Sequence, residues 1–351
     1  MKSTVSVVDL FCGIGGLSHG FVLEKFNVIA GVDFDGSCKY AFEKNNECDF
    51  LERDLTLTPS KEITSLYPKG SLKILVGCAP CQAFSTLSQK YKDNDKWKLL
   101  YSFSRIIEET KPEIISMENV PNLLKYSNGE VFEDFLEVLG DCNYHINYKV
   151  VNAADYGVPQ NRNRLILIAS KLGEVEFIKP THSNKNRITV KDAIGGLPPI
   201  ADGESHPNDV IHRSRKLSLM NKKRILATKE GGGWSDWPSK LQLACHKKDS
   251  GKTFRSVYGR MRWDDVSPTL TTQCTGLGNG RYGHPEQNRA ISIREAALLQ
   301  SFPSTYKFVQ SDKHFVPTEV ERHIGNAVPV NLGRMIAKSI KKHLKNHGYK
   351  I

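Results

Sequence analysis

A cysteine, a glutamate and two closely spaced arginines are the residues whose types and neighbours could do covalent chemistry in this chain. Cys81 follows an apolar run, Leu72 to Val76, and a short exit, Gly77-Cys78-Ala79-Pro80. Aliphatic residues without polar alternation suit a strand buried on both faces of a parallel sheet, and chemistry in such sheets sits where strands end. Gly77 permits a sharp exit and Pro80 fixes the backbone just before the sulfur, so the thiol can be held rigidly in a cleft. This favours Cys81 as a nucleophile. Cys78 and Cys81 also form a C-x-x-C pair, which could be a redox couple or half a zinc site, and a cysteine at a strand end can be simple packing.

Glu118 follows a second apolar run, Ile114 to Met117, and so also stands at a strand end. If the two strands are neighbours, thiol and carboxyl open into one cleft. A desolvated carboxyl there could keep its proton and donate it to a ring nitrogen. The third group is Gln160-Asn161-Arg162-Asn163-Arg164, at the entry to a strand reading Leu165 to Ala169. Arg162 and Arg164 are expected to send their side chains to opposite faces, with at most one pointing into the site while the other braces it or holds phosphate.

The elements that must position these groups alternate short apolar runs with amphipathic stretches up to about residue 170, the pattern of an α/β sheet. Strands are expected at Val5 to Leu10, Val28 to Val32, Leu72 to Val76, Ile114 to Met117 and Leu165 to Ala169. A helix is expected at Leu99 to Glu109, with Leu99, Phe103, Ile106 and Ile107 on one face. The first strand runs into Phe11-Cys12-Gly13-Ile14-Gly15-Gly16, a turn that lets a ligand approach the backbone. It departs from the dinucleotide fingerprint G-x-G-x-x-G because Ser18 holds the third glycine position. Asp33, at the end of the second strand, is placed to accept hydrogen bonds from ribose hydroxyls, so the pair suggests a nucleoside cofactor.

Beyond about Lys171 the pattern breaks up into a Gly-, Pro-, Ser-, Lys- and Arg-rich stretch, and helical periodicity returns at Ile293 to Gln300 and Val330 to Leu344. The domains expected are residues 1–178, 179–305 and 306–351, the last returning to the first. The formal charge is +11, and Thr181 to Arg289 holds 19 basic against 10 acidic residues. A locally basic region points to a polyanion, with nucleic acid leading. Eight cysteines (Cys12, Cys38, Cys48, Cys78, Cys81, Cys142, Cys245, Cys274) lack framework spacing, which fits a reducing cytoplasm. No histidines stand at zinc-finger spacing near Cys78 and Cys81, so no metal is expected. No signal peptide pattern and no apolar run of membrane-spanning length is present, so no membrane association is expected.

Six short motifs in order carry a resemblance. Asp9-Leu10-Phe11-Cys12-Gly13-Ile14-Gly15-Gly16, Pro80-Cys81-Gln82, Glu118-Asn119-Val120, Gln160 to Arg164, Arg294-Glu295-Ala296-Ala297 with Gln300 and Phe302-Pro303, and Gly325-Asn326-Ala327-Val328-Pro329 resemble the DNA 5-methylcytosine methyltransferases. The gap in the resemblance, between about 180 and 285, is where that family keeps its variable target-recognition domain. The resemblance implies a Rossmann-like mixed α/β sheet with helices on both faces and a smaller, irregular, β-rich recognition domain. It implies S-adenosylmethionine as methyl donor and cytosine carbon 5 in duplex DNA as acceptor, the base being flipped out of the helix. Cys81 would add at carbon 6, Glu118 would hold N3 and the amino group, Arg164 would contact the carbonyl oxygen, and Arg162 would lie beside thiolate and phosphate. Cofactor contacts would be Phe11, Gly13, Gly15, Asp33, Phe34, Asp54, Leu55, Pro80 and Asn326, with Phe34 stacking on adenine. DNA contacts would include Gln82, Ser85, Thr269 and Leu270, and the loop Ala83 to Lys98 would close over the base. A small monomeric, bacterial or phage-derived cytoplasmic enzyme, with a cognate restriction endonuclease acting separately, completes the expectation.

Three rivals stand beside it. A transfer-RNA branch shares the core motifs but commonly carries a Cys-Phe-Thr tripeptide, absent here. A DNA-binding protein on an inactive scaffold is opposed by the intact Pro80-Cys81-Gln82 and Glu118. A nicotinamide oxidoreductase is opposed by the departure at Ser18.

Overall fold

The computed structural model describes residues 4–80, 98–249, 251, 253–310 and 313–351. The chain runs β1 (Val5–Leu10), α1 (Gly16–Leu23), β2 (Asn27–Asp33), α2 (Lys39–Asn46), β3 (Asp49–Glu52), α3 (Ser60–Leu66), β4 (Leu72–Gly77), α4 (Lys98–Thr110), β5 (Ile114–Asn119), α5 (Glu130–Asp141), β6 (His145–Asn152) and β7 (Asn163–Ser170). These seven strands form one sheet in the order β3-β2-β1-β4-β5-β7-β6. The first five pair in parallel, and β7 runs antiparallel to both β5 and β6. The mixed α/β architecture expected from the pattern is therefore present.

Alternation along the strands divides the core between the sheet's two faces. Val8, Leu10, Leu75, Leu165 and Leu167 pack with Phe103 and Ile107 of α4 and Phe135 of α5. On the other face Val7, Ile74, Val76, Ile166 and Ile168 pack against α1 and a long carboxy-terminal helix. In α4 it is Leu100, with Phe103, Ile106 and Ile107, that is buried. Leu99 lies one position round the helix and lines a cleft instead.

The remaining elements are α6 (Val190–Ile194), β8 (Ser205–His206), β9 (Asp209–Arg213), α7 (Leu219–Leu226), α8 (Ile293–Leu299), α9 (Pro317–Asn326) and α10 (Val330–Asn346). Regular β structure between 179 and 292 is limited, among the described residues, to the β8–β9 pair and isolated bridges. A buried cluster joins Met261, Leu270, Cys274 and Tyr282 of this stretch to Ile14, Phe42 and Phe50 of the sheet region, with α8 and α9 between them. Trp234, Trp237 and Leu241 form a small cluster of their own beside Tyr258, and Trp234 stacks on His246 with ring centroids 4.3 Å apart. Those aromatics thus serve as core.

α10 lies against α1 at a crossing of small residues. A Cβ on Gly20 would stand 2.5 Å from the Gly333 carbonyl carbon, so only glycine permits this approach. The crossing fixes Val328, whose carbonyl oxygen lies against Gly16, next to the turn after β1.

Candidate active site

The strands that carry the chemistry are neighbours. β4 pairs with β5 through Gly77 and Met117, which puts the Gly77-Cys78-Ala79-Pro80 exit beside Glu118. Gly77 is needed for closeness rather than for a turn, because a Cβ there would lie 3.1 Å from the Leu10 carbonyl oxygen. Asn119 donates from Nδ2 to the Ala79 carbonyl at 3.3 Å and so ties the two strand ends together. Cys81, Gln82 and Ser85, with the rest of the loop after the strand to residue 97, lie outside the described residues.

Glu118 is only 3% exposed. The Cys78 thiol donates to its Oε2 at 2.7 Å. Arg164 Nε stands 2.9 Å from its Oε1, off the line of a good hydrogen bond, so the contact is an ion pair. Arg164 reaches Glu118 because β7 lies beside β5. Arg162, two residues earlier, goes elsewhere: its Nη1 donates to the Leu270 carbonyl at 3.0 Å and faces Gln160 Oε1 at 3.4 Å. One arginine thus reaches Glu118 while the other braces the Leu270 segment, but strand alternation is not the cause: residues two apart on a strand share a face, and Arg162 goes elsewhere because it lies before β7, which begins at Asn163.

Gln160 is the brace that sequence reasoning left without a role. Fully buried, it accepts the Leu270 N–H at 3.0 Å and donates to the Leu299 carbonyl and to Gln300 Oε1. Gln300 in turn donates to the Ile324 carbonyl at 2.7 Å. Thr269 is exposed and donates to the Asn161 carbonyl, while Leu270 is buried in the shared core. A glutamine two residues before an arginine carries no special signal until its partners, over a hundred residues away, are known.

A cleft of about 300 Å³ opens at the carboxyl ends of β1, β2 and β4. Phe11, Gly13, Asp33, Phe34, Asp54, Leu55, Pro80 and Asn326 all line it, as do Cys78 and Asp9. Gly15 does not. Its φ of +83° and the nearness of Asn46 and Phe42 show that it is required for the entry to α1, where a Cβ would collide. Gly13, with φ +49°, has nothing within 4 Å of where a Cβ would be, so space is left beside the backbone. Asp33 accepts the Gly13 N–H at 2.8 Å and the Asp35 N–H at 3.0 Å, and burial raises its carboxyl above the usual range. Phe34 is 69% exposed, an unusual position for a phenylalanine beside a cleft. Room at Gly13, an open aromatic face and adjacent carboxylates together fit a nucleoside bearing a cationic group.

Asp9, deeper in the cleft, accepts the Ser18 hydroxyl at 2.6 Å and leaves its Oδ1 without a partner. Burial, opposed by that hydrogen bond, pushes its carboxyl up to about 7. Among the described residues, Asp35, Cys38 and His323 bring three potential ligand atoms within 4.8 Å of one another. Arg322 already stands 2.9 Å from Asp35, and burial pushes the Cys38 thiol well up, so the donor set suits a salt-bridged contact better than a cation.

Comparison with known proteins shows the family. A profile of the C-5 cytosine-specific DNA methylase family matches residues 5–342. The type II methylase M.HgiDII of Herpetosiphon aurantiacus is 52% identical over 340 residues, covering 97% of this chain and 96% of that protein. The type II methyltransferase M1.HphI of Haemophilus parahaemolyticus is 30% identical, covering 97% and 87%. Among solved structures, an E. coli prophage-encoded protein described as a DNA modification methyltransferase superposes with a TM-score of 0.75 at 23% identity, covering 97% of this chain and all of that one. Spodoptera frugiperda DNMT2 superposes at 0.66 with 15% identity, a likeness of fold alone, covering 96% of this chain and all of that one. No helix among the described residues is long and apolar enough to cross a membrane. With its sheet order, its buried Glu118 beside the β4 exit and a family match along nearly its whole length, this chain belongs to the C-5 cytosine-specific DNA methylases and is a DNA (cytosine-5-)-methyltransferase.

Proposed function

We propose that the chain methylates carbon 5 of a cytosine in a specific duplex sequence through a covalent adduct with Cys81, using S-adenosylmethionine. The observation that carries this is the placement of buried Glu118, paired with Arg164, beside the strand exit that leads through Pro80 to Cys81. Cytosine carbon 5 is too weak a nucleophile to react unaided, so a thiolate adding at carbon 6 must first move electron density toward it. Glu118 would hold N3 and the amino group of the flipped base, and Arg164, already against Glu118, would lie near the ring carbonyl. Arg162 would act from behind by holding the Leu270 carbonyl. The bound cofactor supplies an electrophilic methyl group. Phe11, Gly13, Asp33, Phe34, Asp54, Leu55, Pro80 and Asn326 would hold it in the cleft, with Phe34 against adenine; Gly15 would support them by seating α1.

Residues 1–178 with 306–351 would form the catalytic unit, and 179–305 the recognition unit that meets duplex DNA, Thr269 and Gln82 with Ser85 standing where the two meet it. The names of the type II relatives support a restriction-modification setting, and the reading extends to a separately acting endonuclease, a monomeric enzyme and a bacterial cytoplasm. The test is trapping with duplex oligonucleotides bearing 5-fluorocytosine. Bisulfite sequencing of DNA from expressing cells supplies the target sequence. A donor-dependent covalent complex should form with the wild-type chain and vanish with Cys81→Ala; no complex on the mapped target would overturn the mechanism.

A further inference from the structure

The loop that carries Phe34 is held from the side by α9. Asp35 accepts the Ser37 N–H at 3.2 Å through Oδ1, and its Oδ2 lies 2.9 Å from Arg322 Nη2 and 3.1 Å from His323 Nε2. The Ser37 hydroxyl is also 3.3 Å from that imidazole nitrogen. Burial alone would raise the Asp35 carboxyl, but Ser37, Arg322 and His323 together hold it down to about 2.

α9 is itself anchored at its far side. Glu321 Oε1 accepts the buried Thr275 N–H at 2.6 Å. A Cβ on Gly325 would stand 2.1 Å from the Thr271 carbonyl oxygen, so helix and segment are in direct contact. The same helix ends at Asn326, which lines the cleft. One rigid element therefore fixes both the loop bearing Asp33 and Phe34 and the asparagine opposite.

We propose that Arg322 and His323 are positioning residues for the cofactor, acting through Asp35 to keep Asp33 and Phe34 at the rim of the cleft. The proposal rests on the reading of that cleft as the S-adenosylmethionine site. Both side chains, like Asp35, also line the cleft, and what sets the clamp apart from direct contact is that removing Asp35 alone reproduces the loss.

The test is calorimetric titration of the full chain with S-adenosylhomocysteine, alongside DNA affinity by fluorescence anisotropy. The Arg322 side chain is 43% exposed and outside the core, so Arg322→Ala should fold, and it should weaken cofactor affinity about fivefold, the scale of one partly exposed ion pair. Asp35→Asn should do the same, and the double variant should be little worse than either, because both remove one contact. Arg322→Lys should recover part of the loss, and His323→Gln, which keeps a donor, should lose less than His323→Ala. DNA affinity should be unchanged throughout. Wild-type binding with Arg322→Ala and Asp35→Asn each within about twofold of it would overturn the clamp. So would full additivity in the double variant. No binding by the wild-type chain would overturn the cofactor reading first, and the clamp with it.

Discussion

The sheet region and the stretch from about 179 to 305 solve one problem in opposite ways. Every buried backbone N–H and C=O needs a partner, and in the sheet the strand ladders supply them. Side chains at the strand ends then need not serve the backbone, and Glu118 instead meets Cys78 and Arg164. The second stretch has few ladders, and buried or half-buried arginines do the work instead. Arg260 donates to the carbonyls of Ile225, Thr228, His284 and Gln287; Arg281 to those of Gly231 and Gly232; Arg289 to Ile200 and Ala290; and Arg224 to Leu241. Arg289 is also paired through both nitrogens with Glu295, which the Ser292 N–H completes. The comparison teaches that a basic composition is not the same as a basic surface. At least three of the 19 basic residues between Thr181 and Arg289, the buried Arg224, Arg260 and Arg289, are spent on internal carbonyls and are not available to phosphate.

The contrast can be broken most sharply at Glu118. Glu118→Gln should lower kcat about 10²- to 10⁴-fold while circular dichroism stays native, because the loss is of a group positioned for proton and charge control. Activity within about tenfold of wild type would remove Glu118 from the chemistry. The matching change in the other region is Arg289→Leu, which should cost about 3–5 kcal/mol of stability because it strands a buried carboxylate and two carbonyls. Chemical denaturation reads it, and a shift under about 1 kcal/mol would mean the arginine is not bearing the fold.

The two regions should also titrate in opposite senses. Asp9, raised by burial to about 7, keeps its proton in the folded chain where the unfolded chain has lost it, so its contribution falls as pH rises from 3.8 toward about 7. His284, held down to about 4 by burial, is neutral in the folded chain where the unfolded one is charged, so its contribution falls as pH drops from 6.5 toward about 4. Melting temperature against pH should lose the first slope in Asp9→Asn and the second in His284→Gln. Unchanged profiles would show that neither group titrates as its burial implies. The smallest effect concerns salt. If every excess charge of the second stretch met phosphate, the slope of log K against log salt would approach about −8, and it should be clearly shallower because of the internal arginines.

Sheet strands with unbroken aliphatic runs were legible, since burial on both faces leaves no polar alternation to confuse the pattern. β3, four residues flanked by Asp49 and Glu52, and β6, an edge strand reading His-Ile-Asn-Tyr-Lys-Val-Val-Asn, were not, because each is half solvated and carries polar residues that mimic a loop. The cleft was legible through the glycine turn and Asp33, and eight of the nine residues expected to hold a cofactor line it. Gly15 does not, because a glycine needed for helix entry looks, in sequence, like one needed for ligand approach. Arg322 and His323 could not be found that way, for their meaning depends on Asp35, 287 and 288 residues away. The arginines of the second stretch read as surface charge for the same reason: composition records the guanidinium but not the carbonyl it meets.

That internal arrangement has an evolutionary reading. A guanidinium that grips main-chain oxygen is indifferent to which side chain that residue bears, since every residue offers the same carbonyl. Loops strung between Arg224, Arg260, Arg281 and Arg289 can therefore be rewritten letter by letter while their paths persist; on the proposed reading of this stretch as the recognition unit, new target sequences can be acquired without redesigning the sheet region.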